Sequence, residues 1–123
     1  MAWEIELKYI KDWLDGQDLE TINYVFSALS LLREHGPALG RPLVDTLSGI
    51  GGICRNLKKL RPPSPDASEI RILFAFDPQR KAIMLVAGDK SQGKAKWGAW
   101  CKKAIPKALA IYARHLIEIG GAE

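Results

Sequence analysis

Hydrophobic and polar residues alternate strictly over residues 3–9, at the start of the chain. Such an alternation predicts a β-strand with one buried face. Over residues 19–35 the apolar residues recur at helical spacing instead, and Asp18 precedes them as a candidate cap for the first turn. Gly36 and Pro37 predict the end of this helix, because glycine tolerates a left-handed cap and proline cannot continue a helix.

Three more strands are predicted from the pattern in the middle of the chain. They cover residues 53–61, 69–76 and 82–87, and proline occurs in both of the turns between them. The last of these strands is apolar on both faces, as expected for a strand that is covered on both sides or lies centrally. Residues 38–52 predict a short helix or turn around residues 43–47, followed by a glycine-rich link.

The C-terminal region is predicted to be helical, and Pro106 divides it. Because proline fits the first turn of a helix better than its interior, we expect two helices or one kinked helix. The predicted order is β-α-α-β-β-β-α, an α+β domain that covers residues 1–123. Its small sheet is expected to be mainly antiparallel, with N-terminal helices packed on it and a helical segment at the C-terminal end.

Length and composition narrow the class of protein. The chain has 123 residues, which fits one domain with one modest core. It has neither an apolar run of about 18 residues for a membrane span nor the pattern of a signal peptide, so we expect a cytoplasmic protein without a membrane partner. Cys54 and Cys101, like His35 and His115, lack metal-ligand spacing. We expect structural roles for them, and neither a metal nor a cofactor.

Charge is distributed unevenly along the chain, whose net charge is +4. Residues 1–54 carry four Lys and Arg against eight Asp and Glu, whereas residues 55–103 carry twelve against four. A polarised chain of this kind is typical of a protein with a basic face for a polyanion, and nucleic acid is the commonest polyanion. The alternative is a charged surface that serves only solubility.

The cations of the predicted strands form the candidate site. On an ideal strand Lys59 and Arg61 share one face, opposite Lys58. If the next strand pairs through the proline-rich turn, Arg71 lies beside Arg61 or Lys59, and like charges that face each other destabilise a sheet by roughly 0.2–1 kcal/mol. A bound anion would neutralise this repulsion. Further basic residues after the last strand extend the patch; they are Lys90, Lys94 and Lys96.

Carboxylate chemistry and metal-assisted hydrolysis find little support in the sequence. The acidic pairs, Glu4 with Glu6 and Asp12 with Asp15, fit the polar face of a strand and a solvated turn. A cluster of Lys and Arg can nevertheless cleave RNA, because RNA carries its own nucleophile, the 2′-hydroxyl. Alignment of this group and stabilisation of the developing charge supply most of the barrier reduction. A lysine with its pKa lowered by neighbouring cations can take part in the proton transfer.

Several segments of the chain form a specific combination: EHGPALGRPLVDTLSG, the pair NLKKLRP and SEIRILFAFDP, then LVAGDK and KKAIPKAL. Together they resemble the RelE/HigB-like toxins of bacterial type II toxin–antitoxin modules, and the first is typical of a phage-associated branch. The resemblance implies a RelE-like fold and a ribosome-dependent endoribonuclease that cuts mRNA and arrests growth. It also implies a cognate antitoxin, commonly a helix-turn-helix protein, that neutralises the toxin.

Carried over by position, the resemblance implies catalytic roles for four cations. They are Lys59 and Arg61, then Arg71, which contacts the scissile phosphate, and Lys90 after the last strand. The other basic residues near these positions are candidate RNA contacts; they are Arg55, Lys58, Lys94 and Lys96. Close relatives often have a tyrosine at the position of Cys101, so in this chain either a lysine performs the proton transfer or the enzyme is weak.

Two other functions stay open at this point. A ParE-like toxin shares the fold but inhibits DNA gyrase by binding it, and the cations on two neighbouring strands favour RNA instead. A non-enzymatic regulatory protein would use the same patch only to hold nucleic acid.

Overall fold

The computed structural model describes residues 3–40, 43–46, 57–62, 70–89 and 97–120. These residues form five strands and three α-helices. The strands are β1 (Glu4–Glu6), β2 (Val44–Thr46), β3 (Lys58–Leu60), β4 (Ile70–Phe76) and β5 (Lys81–Asp89). The helices are α1 (Lys11–Asp15), α2 (Leu19–His35) and α3 (Trp97–Gly120), and a 3-10 turn (Gly36–Ala38) follows α2. Within this part of the chain, no helix has the length and apolarity needed to cross a membrane.

One sheet contains all five strands, in the spatial order β1-β5-β4-β3-β2. β1 pairs with β5 in parallel, and the other three pairs are antiparallel. The predicted α+β class and the mainly antiparallel sheet are therefore confirmed. The arrangement is compatible with a RelE-like fold.

Helices cover both faces of the sheet, and each face has its own apolar cluster. The cluster under α2 includes Val25, Leu29, Leu32, Ile72 and Phe74. The cluster under α3 includes Leu57, Leu73, Leu85, Ala104 and Ala108. Successive residues of β4 belong to the two clusters in turn, because side chains of a strand alternate between faces. β4 is therefore buried on both sides and forms the centre of the sheet.

The sequence prediction of a short helix or turn is wrong for residues 44–46. Val44–Thr46 do not form a helix or turn; they form β2, which pairs with β3 so that Val44 lies opposite Leu60. Both of these side chains are buried. A strand of three residues is too short to show an alternating pattern, so its conformation depends on a partner that is distant in sequence.

Other parts of the chain also differ from the prediction. β1 is shorter than the alternating run, because the chain turns where the Ile10 N–H donates to the Leu7 carbonyl at 3.0 Å. The turn leads into α1, which the pattern did not predict. α3 passes through Pro106 as one helix, so the alternative of two separate helices is wrong. Residues 53–56 and 69 of the predicted strands lie outside the described residues.

The predicted start and end of α2 are confirmed. Asp18 Oδ1 accepts a hydrogen bond from the Thr21 N–H at 2.8 Å, and Gly36 ends the helix with a φ of 57°. Only glycine fits at this last position, because a Cβ there would collide with the indole of Trp3. The hydrogen bonds from Thr21 hold the pKa of Asp18 below its ordinary value.

We expect Asp18→Asn to keep the cap but remove a pH-dependent part of the stability. Because the folded-state pKa of Asp18 is lowered, its charge stabilises the protein above the ordinary aspartate pKa, and this contribution disappears as the pH falls through the folded-state pKa. The difference in the free energy of unfolding between wild type and variant should be constant near neutral pH and shrink below about pH 4. Denaturant titrations across pH measure it, and a difference that grows on acidification would contradict the assigned cap.

Candidate functional site

The pairing of β3 with β4 determines which cations meet. Leu60 of β3 lies opposite Ile72 of β4. If this antiparallel register continued by one residue, Arg61 would fall opposite Arg71. Lys59 lies in β3 two residues before Arg61, which follows the end of the strand, and two extended residues span about 7 Å. The pairing itself ends at Leu60 and Ile72, so the neighbourhood of the two arginines stays a prediction that this register favours.

All three cations belong to the α3 side of the sheet. Lys59 pairs with Leu73, which is buried under α3, and paired residues point to the same face. Arg71 precedes Leu73 by two positions and shares this face as well. The three side chains are half-buried. We call Lys59, Arg61 and Arg71 the cation cluster; it begins where the apolar cluster under α3 ends.

A bulge in the pairing of β4 with β5 gives Arg71 a glycine as its neighbour. The register shifts between Leu73 and Phe74, so that Arg71 pairs with Gly88. Without the shift Arg71 would lie opposite Ala87. Since glycine has no side chain, the β5 backbone beside Arg71 can be approached closely by a guanidinium or an anion.

Apolar residues hold β4 from the opposite face. Ile70, Ile72 and Phe74 are buried, with exposed fractions of 2%, 0% and 0%. Phe76 packs against the same cluster and meets the Phe74 ring edge to face, with 5.4 Å between centroids. Arg71 itself donates a hydrogen bond from Nη1 to the Ile70 carbonyl at 2.7 Å. The strand that carries Arg71 is thus fixed by a packed core, as the sequence pattern predicts.

The cluster does not contain all of the predicted site residues. Lys58 pairs with Phe74 and therefore belongs to the α2 side of the sheet, away from the cluster. Four others lie outside the described residues; they are Arg55, Lys90, Lys94 and Lys96. Each cation of the cluster also interacts with other groups of the chain, so an anion would replace existing contacts. Over the described ranges, no group of three or more His, Cys, Asp or Glu side chains could hold a metal ion.

A buried polar network joins residues that the sequence does not connect. His115 Nε2 lies 2.8 Å from Asp77 Oδ2, and both side chains are at most 4% exposed. The Tyr9 hydroxyl lies 3.3 Å from Nδ1 of the same ring. Nearby, Tyr112 donates its hydroxyl hydrogen to the Phe76 carbonyl at 2.7 Å. Burial and the charge of Asp77 raise the pKa of Tyr112.

The buried polar network lies apart from the cation cluster, and its role is structural. Asp77 follows the last residue of β4, six positions and about 20 Å along an extended chain from Arg71. The contact between His115 and Asp77 connects α3 to the turn between β4 and β5. This agrees with the structural role expected for His115. The contacts span 38 and 106 residues of sequence, so no spacing motif could reveal them.

A comparison with models of protein families shows which family the chain belongs to. Residues 12–113 match the family model described as "Phage derived protein Gp49-like (DUF891)". The chain belongs to this Gp49-like family. The matched range includes the whole cation cluster and all of β2 to β5.

Two curated proteins of Mycobacterium tuberculosis are similar to this Gp49-like chain. "Putative toxin HigB2" is 47% identical over 118 residues, which make up 96% of this chain and 56% of that relative. "Putative toxin HigB3" is 39% identical over 104 residues, 85% of this chain and 84% of that relative. The chain therefore spans just over half the length of the first relative and most of the second. These similarities confirm the predicted resemblance to HigB-like toxins.

Proposed function

We propose that this chain is the toxin of a type II toxin–antitoxin module and acts as an endoribonuclease on mRNA at the ribosome. The cation cluster supports this most, because it places three cations on one face of two paired strands. The toxin names of two relatives agree with it. The partners in this proposal are mRNA, the ribosome and a cognate antitoxin of the helix-turn-helix type, and the activity is cytoplasmic.

The proposed reaction uses the 2′-hydroxyl of the RNA as nucleophile. The 2′ oxygen attacks the adjacent phosphorus, and the bond from phosphorus to the 5′ oxygen breaks. The products are a 2′,3′-cyclic phosphate and a 5′-hydroxyl, since the 2′ oxygen loses a proton and the 5′ oxygen gains one. Negative charge grows on the phosphate oxygens in the transition state, so cations that are already held in place lower the barrier.

Each cation of the cluster has a role that fits its chemistry. Arg61 and Arg71 bind the scissile phosphate, because a planar guanidinium can donate two parallel hydrogen bonds to it. Lys59 is the group that exchanges a proton, because arginine stays protonated. Such proton transfer contributes a factor of roughly 10²–10⁴. Lys90 lies outside the described residues and keeps the catalytic role that the resemblance implies.

Lys58 and Lys59 form a matched pair for a binding experiment, since they are adjacent, both half-buried and on opposite faces. We expect Lys59→Ala to weaken the binding of a short single-stranded RNA. The slope of log affinity against log salt should become shallower by about 0.7, the value for one lost phosphate contact on a single strand. Lys58→Ala should leave the slope unchanged. Fluorescence anisotropy across a KCl series measures both, and equal losses in the two variants would contradict the assignment of faces.

The two other functions predict different results in cells. A ParE-like toxin would inhibit DNA supercoiling by gyrase and leave RNA intact. A regulatory protein would bind nucleic acid with a strong salt dependence and cut nothing. Controlled expression of the chain in a bacterium, followed by measurement of growth, plasmid supercoiling and mRNA integrity, separates the three functions.

A further inference from the structure

The backbone of Ile70 faces β3, although the pairing of β3 with β4 ends before it. The Arg61 N–H donates to the Leu43 carbonyl at 2.7 Å, on the β2 side. Because successive residues of a strand direct their backbone groups to opposite sides, Leu60 faces β4 and its partner Ile72 faces β3. Ile70 lies two residues before Ile72 on the same strand, so its N–H and C=O also point toward β3.

The turn between β4 and β5 gives the same direction for Ile70. The Asp77 N–H, just after β4, donates to the Lys81 carbonyl at 2.9 Å, toward β5. Ile70 lies an odd number of residues before Asp77, so its backbone groups point to the other side of the strand. The extra residue of the bulge belongs to β5 and does not change this alternation along β4.

Pro62 explains why the ladder between β3 and β4 ends where it does. If the pairing continued past Leu60 and Ile72, Pro62 would be the next residue of the β3 chain to donate to Ile70. Proline has no N–H, so it cannot make this hydrogen bond. Pro62 is buried, so the chain stays packed against the protein beyond the last pair.

The Arg71 side chain donates to the Ile70 carbonyl instead. The distance from Arg71 Nη1 to this oxygen is 2.7 Å. Since the carbonyl points toward β3, the guanidinium is held on the β3 side of its own strand, and β3 carries Lys59 on the same face of the sheet. A side chain that is fixed before an anion arrives loses less conformational entropy when it binds. The hydrogen bond therefore orients the guanidinium toward the rest of the cation cluster.

We infer that Pro62 is a positioning residue for the anion site, because it withholds an N–H from Ile70 and so keeps that carbonyl for Arg71. That the anion is an RNA phosphate rests on the proposed function. Alanine at position 62 would bring an N–H that can extend the ladder and take the carbonyl from Arg71. The guanidinium would then lose its fixed orientation and bind a phosphate less well.

The test compares two replacements of Pro62 that differ in one group. Pro62→Ala adds a backbone N–H, whereas lactic acid at the same position keeps the alanine side chain and has an ester oxygen in place of the N–H. Binding of a short single-stranded RNA, measured by fluorescence anisotropy across a KCl series, should weaken about fivefold in Pro62→Ala. The slope of log affinity against log salt should become shallower by up to about 0.7, the value for one phosphate contact. The lactic acid variant should bind within twofold of wild type.

A second comparison shows whether Pro62 acts through Arg71. In a chain that already carries Arg71→Ala, Pro62→Ala should change the RNA affinity by less than twofold, since the guanidinium that it would displace is gone. A merely structural effect of the proline would weaken binding equally in both chains. Equal losses in the two chains, or equal losses for Pro62→Ala and the lactic acid variant, overturn the inference.

The wild-type chain gives a further measurement that needs no stable variant of Pro62. With isotope-labelled arginine, a guanidinium held by the Ile70 carbonyl should show separate Nη1 and Nη2 signals in the NMR spectrum, because its rotation is slow. Arg71→Lys assigns these signals by their loss, and one averaged signal for Arg71 overturns the inference. If the wild-type chain binds no RNA, the proposed function fails instead, and the Nη signals still decide whether Ile70 holds the guanidinium.

Discussion

Arg71→Ala should abolish growth arrest and mRNA cleavage while the protein stays folded. The variant removes the guanidinium that we place on the scissile phosphate, and loss of one such charge-stabilising group costs about 10²–10³-fold in rate. The side chain is half-buried at the end of the α3 face and contributes nothing to the apolar cores. The free energy of unfolding should therefore change by no more than about 1 kcal/mol. Induced expression in cells measures toxicity, and cleavage in a translation extract measures the rate.

Two further variants test whether the loss of toxicity in Arg71→Ala is due to this guanidinium. Arg71→Lys keeps the charge but loses the planar donor pair, so it should retain a part of the activity. Arg114→Ala removes an exposed arginine from the C-terminal half of α3, far from the cluster, and should be fully toxic. An Arg71→Ala variant as toxic as wild type would show that the site has been placed wrongly.

The largest loss of stability is expected for Asp77→Ala. Its Oδ1 accepts hydrogen bonds from the backbone N–H groups of Gln79 and Lys81, each at 2.9 Å, and its Oδ2 meets His115. Removal of the carboxylate takes the hydrogen-bond partner from the buried His115 and from two backbone N–H groups of the turn between β4 and β5, which loosens that turn. We expect a loss of about 3–5 kcal/mol in the free energy of unfolding, measured by urea titration.

Tyr9→Phe is the comparison for this variant. It removes a longer contact of 3.3 Å to His115 but keeps the edge-on ring packing against the imidazole. Its cost should be no more than about 1 kcal/mol. A loss below about 1 kcal/mol for Asp77→Ala as well would mean that the network contributes little to stability.

The parts of the fold that the sequence predicts are those with local patterns. α2 has 17 residues with a regular apolar repeat and a capping aspartate at its start, so both its length and its ends follow from the sequence. β4 alternates between two clusters, and the same period of two places Lys59 and Arg61 together on one face. For the candidate site, the structure adds the strand register, which pairs Lys59 with Leu73 and Arg71 with Gly88.

The parts of the fold that the sequence does not predict depend on contacts between residues that are far apart in the sequence. β2 has only three residues, and its pairing with β3 decides its conformation. Gly88 becomes the neighbour of Arg71 only because the register shifts at a bulge, which no local pattern shows.

The proposed activity is tested most directly by mapping mRNA 5′ ends in a bacterium. The wild-type chain and the Arg71→Ala variant are induced in parallel. Cleavage by the 2′-hydroxyl predicts new ends that carry a 5′-hydroxyl. These ends should fall within translated regions, disappear when translation is blocked, and be absent in the variant. Growth arrest by the wild-type chain without new mRNA ends would contradict an endoribonuclease and leave gyrase inhibition as the function to examine.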